Sequence, residues 1–327
     1  MARYIMKRIL MLIPVLLGVM LVIFIFQEIS PDDPVRSLLG EDAPPAQVEA
    51  LRKQLGLDQP ILIQFVRYVW NFVRYGDLGT SYVTGQPVLR ELMQRWPVTI
   101  KLAFMSVGIG VLMGLPLGIL SAVKQNTWID SAILGFTVFI TSFPNFWFAL
   151  LLIVLFAVKL GWLPSMGIMA WQGWIMPVAV MSIGMMAMLA RNTRASVLEG
   201  IRQDYVRTAR AKGQRERKII CGHVLRNSMI PITNVIGNGL AGQLGGAVII
   251  ETVFGLPGIG LYAVNAVGQR NYPSVLGSVV LLAFVFAGVN LLIDICYVII
   301  DPKLRYTFTD SARANTPKRL AKRHVGT

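Results

Sequence analysis

"YVRTARAKGQRERK", Tyr205 to Lys218, packs six Lys and Arg into fourteen residues and lies between two long apolar runs. Its surroundings decide what that charge means. The chain has 327 residues, 54% hydrophobic and 15% charged, where a soluble globular protein carries roughly 25% charged residues, and its mean hydropathy is positive. That balance marks a membrane protein. In a soluble chain the net charge of +14 would point to nucleic acid. Beside membrane spans it is a topology signal instead, because Lys and Arg are retained on the cytoplasmic side of short loops. No nucleic-acid partner is expected.

A helix crossing a bilayer needs about 20 predominantly apolar residues. Six runs qualify: Ile9–Phe26, Leu102–Val123, Ser131–Val158, Trp174–Ala190, Met229–Ile250 and Val275–Ile300. The fifth is interrupted by Asn234, Asn238 and Gln243. The first is longer than a signal-peptide core and lacks a small-x-small cleavage site after it, so it reads as a retained span. With the N-terminus inside, the inside segments hold three, one, ten and seven Lys and Arg, 21 of the chain's 31. Both termini are therefore expected to be cytoplasmic. The predicted fold is all-α and polytopic, with six transmembrane helices. Residues 1–29 are the N-terminal transmembrane helix and 30–97 an extracytoplasmic helical segment. Residues 98–300 form a five-span core containing the basic loop 191–228, and 301–327 a basic cytoplasmic tail.

Within 30–97, "PPAQVEALRKQLG" opens with proline and closes with glycine around an amphipathic stretch, and "ILIQFVRYVWNFVRYG" ends the same way. "QPVLRELMQRW" is a third helix candidate ahead of the second span.

The spans carry little ionisable equipment. Asp294 is the one ionisable residue well inside a run, with Glu251 and Lys101 at run edges, which is thin provision for ion-coupled transport. Asn290 and Asp294 share a helix face, as do Asn234 and Asn238. Either pair lines a polar solute path or bonds to a neighbouring helix. Gly110, Gly114 and Gly118 form overlapping G-x-x-x-G units and Gly242 with Gly246 another, the pattern of closely approaching helices. Met181, Met185, Met186 and Met188 read as adaptable packing rather than a soft-metal site. No H-E-x-x-H, G-x-S-x-G or phosphate-cradling G-x-x-x-x-G-K-[ST] occurs, so any ATP that drives this chain binds elsewhere. Cys221 and Cys296 have neither metal-ligand nor disulfide-framework spacing.

In the basic loop, Leu198, Ile201, Tyr205 and Ala209 are spaced as one apolar helix stripe. Gly213 follows as a residue free to adopt the left-handed conformation that ends a helix. Small side chains at Ala209 and Ala211 suit a helix seated in a partner's groove. A second basic segment, "ERKIICGHVLRN", precedes Pro231 at the start of the fifth span.

"DYVRTARAKG" followed by "HVLRNSMIP" resembles the cytoplasmic coupling loop of binding-protein-dependent ABC importer permeases, closest to the dipeptide/oligopeptide/nickel branch. The resemblance extends along almost the whole chain, through "KRILMLIPVLLGV", "PDDP", "LGLDQP", "GDLGTS", "ETVFGLPGIG", "NYPSV" and "NLLIDICYVIIDPKLRY". In the general E-A-A pattern ending in Gly213, positions Arg207, Thr208 and Ala209 retain only the last alanine, although the peptide branch commonly reads "RTARAKG". Asp32 and Asn271 depart from the usual "PGDP" and "DYP". The resemblance implies a homologous second permease, two cytoplasmic ATPases that hold ATP and Mg²⁺, an extracytoplasmic solute-binding protein and a bacterial or archaeal plasma membrane. It implies an ATPase-coupling interface at Tyr205, Arg207, Thr208, Ala209, Ala211, Lys212 and Gly213, with no cofactor on this chain. The expected cargo is di- or oligopeptide; the same machinery importing nickel, a metal chelate or glutathione is the alternative. A stand-alone secondary carrier or channel is the alternative from another class.

Overall fold

The computed structural model describes residues 2–29, 33–40 and 42–300, with the side chains of 2–5, 7–9, 12, 28, 246, 294 and 296–300 outside the described set. The tail 301–327, Asp32 and the side chain of Asp294 therefore lie outside the described residues. Within that set the regular structure is helical, apart from one bridge between Thr80 and Pro87.

Helix α1 spans Ala2–Ile29. The outer segment then folds as short helices with strong punctuation. Asp33 accepts a hydrogen bond from the Val35 N–H at 3.0 Å to start α2, Pro34–Leu39. Helix α3, Pro45–Leu55, stops at Gly56 with φ +70°, and α4, Ile61–Tyr75, stops at Gly76 with φ +64°. The proline and glycine signals thus mark both helices.

The third candidate is not a separate helix. It is the first part of α5, which runs unbroken over Val88–Val123, 36 residues, or about 54 Å at 1.5 Å per residue. Pro97 removes one ladder hydrogen bond. Leu92, Thr99 and Leu102 on either side are fully buried, and tertiary packing of that kind outweighs local propensity.

The third expected span is not one helix either. Helix α6, Trp128–Thr141, and α7, Asn145–Leu152, which continues as a π-helical stretch over Ile153–Lys159, meet at 93°. Pro144 lacks an N–H and pushes Phe143 out of the helical region. The Thr141 and Ser142 hydroxyls bond back to the carbonyls of Thr137 at 2.9 Å and Val138 at 2.8 Å, further loosening that turn.

Helix α8, Ile175–Ile201, follows a 3-10 turn, Trp171–Trp174. Helices α9, Asp204–Ala211, and α10, Glu216–Lys218, lead through a π-helical turn, Ile219–Val224, into α11, Leu225–Val253. The basic "ERKIICGHVLRN" is thus helical and continuous with the fifth run, and Pro231 lies inside α11 rather than at its start. Helices α12, Ile259–Gly268, and α13, Tyr272–Ile300, complete the described residues.

By length and composition, three described helices can cross a membrane, Val88–Val123, Trp171–Ile201 and Tyr272–Ile293, or four if the bent pair counts as one. Six were expected. Helix α1 is 28 residues long, and its described stretch Ile13–Gln27 is apolar. Helix α11 is long enough, but its Asn, Gln and Gly content lowers its hydropathy.

Helix α8 is the core. A Cβ at Gly110, Gly114 or Gly118 of α5 would fall 2.6 Å from Met185 Cγ, 2.7 Å from the Met186 carbonyl oxygen and 2.6 Å from the Ala190 carbonyl oxygen. The glycine ladder lets α5 lie directly on the backbone of α8. Met185 also abuts Gly239 of α11, where a Cβ would sit 2.5 Å from its sulfur. Met181, Met185 and Met186 are buried and act as packing between three helices. Gly242 faces no atom within 4 Å, so the second expected G-x-x-x-G unit makes no such approach there; Gly246 lies outside the described side chains.

Candidate functional site

The expected stripe over Leu198, Ile201, Tyr205 and Ala209 does not lie on one helix. The chain turns between Ile201 and Asp204, with Gln203 extended ahead of α9, so Leu198 and Ile201 belong to α8. Val206, fully buried, and Ala209 face inward, against Ala122, Val197, Ile219 and Val224. Once the turn restarts the helix, the 3.6-residue period counts from Gln203, which puts Val206 inward and Tyr205 outward. The pocket that seats α9 is formed by the ends of α5 and α8 and the π-helical turn. Gly200 makes it compact, since a Cβ there would lie 2.8 Å from Val224.

At the other end Gly213 has φ +71° and its N–H donates to the Arg210 carbonyl at 2.9 Å, the left-handed stop that its sequence position predicted. Arg210 spans this turn to Glu216, with Nε 2.6 Å from Oε1. The guanidinium holds the Glu216 carboxyl below its ordinary titration range. His223 meets Gln214 at 3.0 Å. Among the seven expected interface residues, Tyr205, Arg207, Thr208, Ala211, Lys212 and Gly213 are exposed, and Ala209 points inward. Arg207 lies 3.9 Å from Asp204 with both side chains at least 80% exposed, a contact too solvated to hold it. The result is a short helix with an anchored apolar inner edge and a basic outer face.

The main electrostatic tie beside this helix is one that sequence reasoning missed. Arg194 of α8 donates through Nε and one terminal nitrogen to the two carboxylate oxygens of Asp130 in α6, both at 2.7 Å. Ser121 of α5 donates to the same carboxylate at 2.5 Å and the Asn126 N–H at 3.0 Å. By sequence Arg194 counts only as a topology charge. An Asp in the first turn of a helix was the available signal for Asp130, but nothing local links residue 130 to residue 194.

Asn234 and Asn238 are exposed and hydrogen-bonded to each other at 2.5 Å. Asn290 turns its amide to the Phe286 carbonyl at 2.8 Å. Helices α11 and α13 cross beside these groups, since a Cβ on Gly237 would fall 2.5 Å from Ile293. Where α6 breaks from α7, a cavity of about 110 Å³ is lined by Thr141, Phe143, Asn145 and Gly184 among others. Among the described residues, no group of three or more His, Cys, Asp or Glu gathers to hold a metal ion.

Two motifs of the opposite end prove to be joints. Glu251 is fully buried. Its carboxylate accepts the Thr99 hydroxyl at 2.7 Å and the Gly260 and Leu261 N–H groups at 2.7 and 3.2 Å, capping the N-terminus of α12. Asn271 is also buried; its side-chain oxygen accepts the Tyr82 N–H at 3.0 Å and its amide donates to Ser81 Oγ at 2.7 Å.

The structure is thus a multi-helix membrane fold with a short, exposed basic helix, α9. Residues 114–306 match the family model "Binding-protein-dependent transport system inner membrane component", and residues 1–103 match the model of the N-terminal part of such membrane components. The chain belongs to this family, the membrane permeases of ABC importers of the peptide, glutathione and nickel class. Both matches are to membrane components, and no nucleotide-binding domain lies within the chain. A putative peptide transport system permease protein of Brucella abortus is 38% identical over 314 residues, 94% of this chain and 100% of that protein. The glutathione transport system permease protein GsiC of Salmonella paratyphi A is 40% identical over 308 residues, again 94% and 100%. Among solved structures, the MetNI methionine ABC transporter in an inward-facing conformation matches with TM-score 0.55 at 20% identity, covering 65% of this chain and 97% of that one. An amino acid ABC transporter gives 0.52 at 20% identity, covering 64% and 94%. The protein is thus an all-α, multi-pass membrane protein of the bacterial plasma-membrane type with the general ABC-permease fold.

Proposed function

We propose that this chain forms one half of the membrane pathway of an ATP-driven importer, paired with a homologous permease, gripped by two cytoplasmic ATPases and supplied by an extracytoplasmic binding protein. The observation that carries this is α9. It buries Val206 and Ala209 in the base of the helix bundle and exposes Tyr205, Arg207, Thr208, Ala211, Lys212 and Gly213, the geometry of a plug that a partner groove can grip. ATP-driven closure of the ATPases pushes α9 as a rigid body, and Val206 passes the push to Val197 of α8 and to the ends of α5 and α11. In this reading the chain crosses the membrane six times with both termini in the cytoplasm. Residues 30–97 form the outer segment, 98–300 the core and 301–327 a cytoplasmic tail. Asn234, Asn238 and Asn290 line the solute path, and Asp294 is assigned there from sequence.

For cargo, the alternative of glutathione, nickel or a metal chelate is favoured in its glutathione form, because permeases named for glutathione match at 40% identity over 94% of this chain. The proposed solute is a peptide of that size. The test is purification of the tagged chain from native membranes in mild detergent, with mass spectrometry of its companions. A homologous permease and an ATPase are expected to accompany it. The matching binding protein is then titrated with glutathione, a dipeptide and a nickel chelate. Recovery of this chain alone, still transporting, overturns the importer reading; tight binding of only the nickel chelate overturns the cargo.

A further inference from the structure

Helix α4 carries one broad apolar surface made of two adjoining faces, with Gln64, Arg67, Asn71 and Arg74 on the side away from it. Phe65, Tyr68, Val69 and Phe72 pack against the cluster containing Met20, Leu78 and Leu92. The Phe24 ring of α1 meets those of Phe65 and Tyr68 edge-on at 5.6 and 5.8 Å. On the adjoining face Leu62, Val66, Trp70 and Val73 form a helical stripe with exposures of 67, 58, 58 and 76%. A helix with so large an exposed apolar stripe belongs in contact with protein or lipid. This one does not span, since Gln64, Arg67, Asn71 and Arg74 interrupt its fifteen residues.

Its position and its cations say what covers the stripe. Phe24 is five residues from the end of α1 at Ile29, so the contact lies about 8 Å below that end at 1.5 Å per residue. Leu21, Val22, Ile25 and Phe26 of α1 are also exposed, and continue the apolar surface towards the membrane interior. At the far end of α4 the Arg74 guanidinium carbon is 5.6 Å from the Trp70 ring centre and 5.4 Å from that of Tyr75. Trp and Tyr collect at the headgroup level of a bilayer, and Arg runs its apolar stem along such surfaces with its charge at the phosphates. Arg67, exposed on the same helix, is held by Gln59 at 2.5 Å.

We propose that α4 is an interfacial helix. Leu62, Val66, Trp70 and Val73 enter the acyl boundary of the leaflet reached by the C-terminal end of α1, and Arg67 and Arg74 meet the phosphates of anionic phospholipid. An apolar protein face would cover the stripe but offer the two cations no counter-charge; a bilayer surface supplies both. The assignment holds whichever side of the membrane that leaflet faces.

The test uses the full chain with its co-purifying subunits in vesicles, with Cys221→Ser, Cys296→Ser and Val66→Cys carrying an environment-sensitive fluorophore. Blue-shifted emission is expected, quenched several-fold more by shallow spin-labelled lipid than by aqueous iodide. That excess should grow when phosphatidylglycerol is added to phosphatidylcholine, and Arg67→Gln with Arg74→Gln should remove the growth. A label at Val73→Cys repeats the measurement should the first position perturb folding. Water-like emission quenched by iodide overturns the proposal, as does shielding from both quenchers, which would place a protein on the stripe. Equal lipid quenching in the two vesicle types overturns the role of anionic lipid.

Discussion

Asp130 of α6 and Arg194 of α8 meet fork to fork, with both contacts at 2.7 Å, and the Asp130 side chain is only 5% exposed. Arg194 is one helical turn before Val197, which packs on Val206 of α9. The pair therefore ties the base of the bent helix pair to the element proposed to receive the ATPase stroke.

Arg194→Ala leaves a nearly buried carboxylate with only the Ser121 hydroxyl and the Asn126 N–H. Removing one partner of a buried pair costs about 3–5 kcal/mol, and the 20% exposure of Arg194 puts this case near the lower end. Thermal unfolding of the purified protein in detergent should register the loss. Asp130→Asn combined with Arg194→Leu should restore much of it, since no charge is then stranded; a double variant no better than the single would show that the pair is not the cause.

Gly213 has φ +71°, and a Cβ added to it would meet nothing within 4 Å, so substitution there strains only the backbone. A β-branched residue in the left-handed region costs roughly 1–2 kcal/mol, enough to reduce the correctly ended α9 about tenfold. Gly213→Val should abolish most stimulated ATPase activity and uptake with membrane insertion intact, whereas Gly213→Asn, which tolerates that conformation, should retain most of both. Equal behaviour of the two in proteoliposomes would remove backbone conformation from the account.

Gly114 and Gly242 should respond in opposite ways. An alanine at Gly114 drives its Cβ to 2.7 Å from the Met186 carbonyl oxygen, a backbone atom that cannot rotate aside, so α5 must lift from α8. Overpacking of this kind costs about 1–3 kcal/mol. Gly242→Ala meets open space and gains roughly 0.5–1 kcal/mol of helix preference. Thermal unfolding of the two variants should therefore straddle the parent.

Asn271→Leu removes the acceptor for the Tyr82 N–H and the donor to Ser81. Each buried group left unpaired costs about 1–3 kcal/mol, and the segment around Thr80 to Pro87 should become sensitive to limited proteolysis. Asn271→Asp keeps the acceptor and lets the Ser81 hydroxyl donate instead, so it should stay resistant. Cleavage of both variants at the same rate would mean that the clip does not hold this loop.

Much of this site is legible along the chain. Gly56, Gly76 and Gly213 each end a helix where a glycine after an amphipathic run predicts it, because a left-handed stop is a property of a few consecutive residues. The Gly110, Gly114 and Gly118 ladder is legible as a close approach, although its partner backbone is not. The stripe through Leu198, Ile201, Tyr205 and Ala209 failed because periodicity assumes an unbroken helix, and the turn before Asp204 resets the phase by placing Val206 inward. The bend within Ser131–Val158 was hidden for a related reason, since hydropathy counts apolar residues and is blind to the 93° angle at Pro144.

Sequence by itself determined the membrane class, the helical punctuation and the family, because composition, short turn signals and ordered motifs are local and survive without knowing what touches what. Only the tertiary structure decided that Asp130 belongs to Arg194, that Glu251 caps α12, that Asn271 clips the loop at Ser81, and which edge of α9 is anchored. Those outcomes depend on residues from nine to 190 positions apart arriving in contact. Chain folding sets that proximity, and no periodicity along the sequence encodes it.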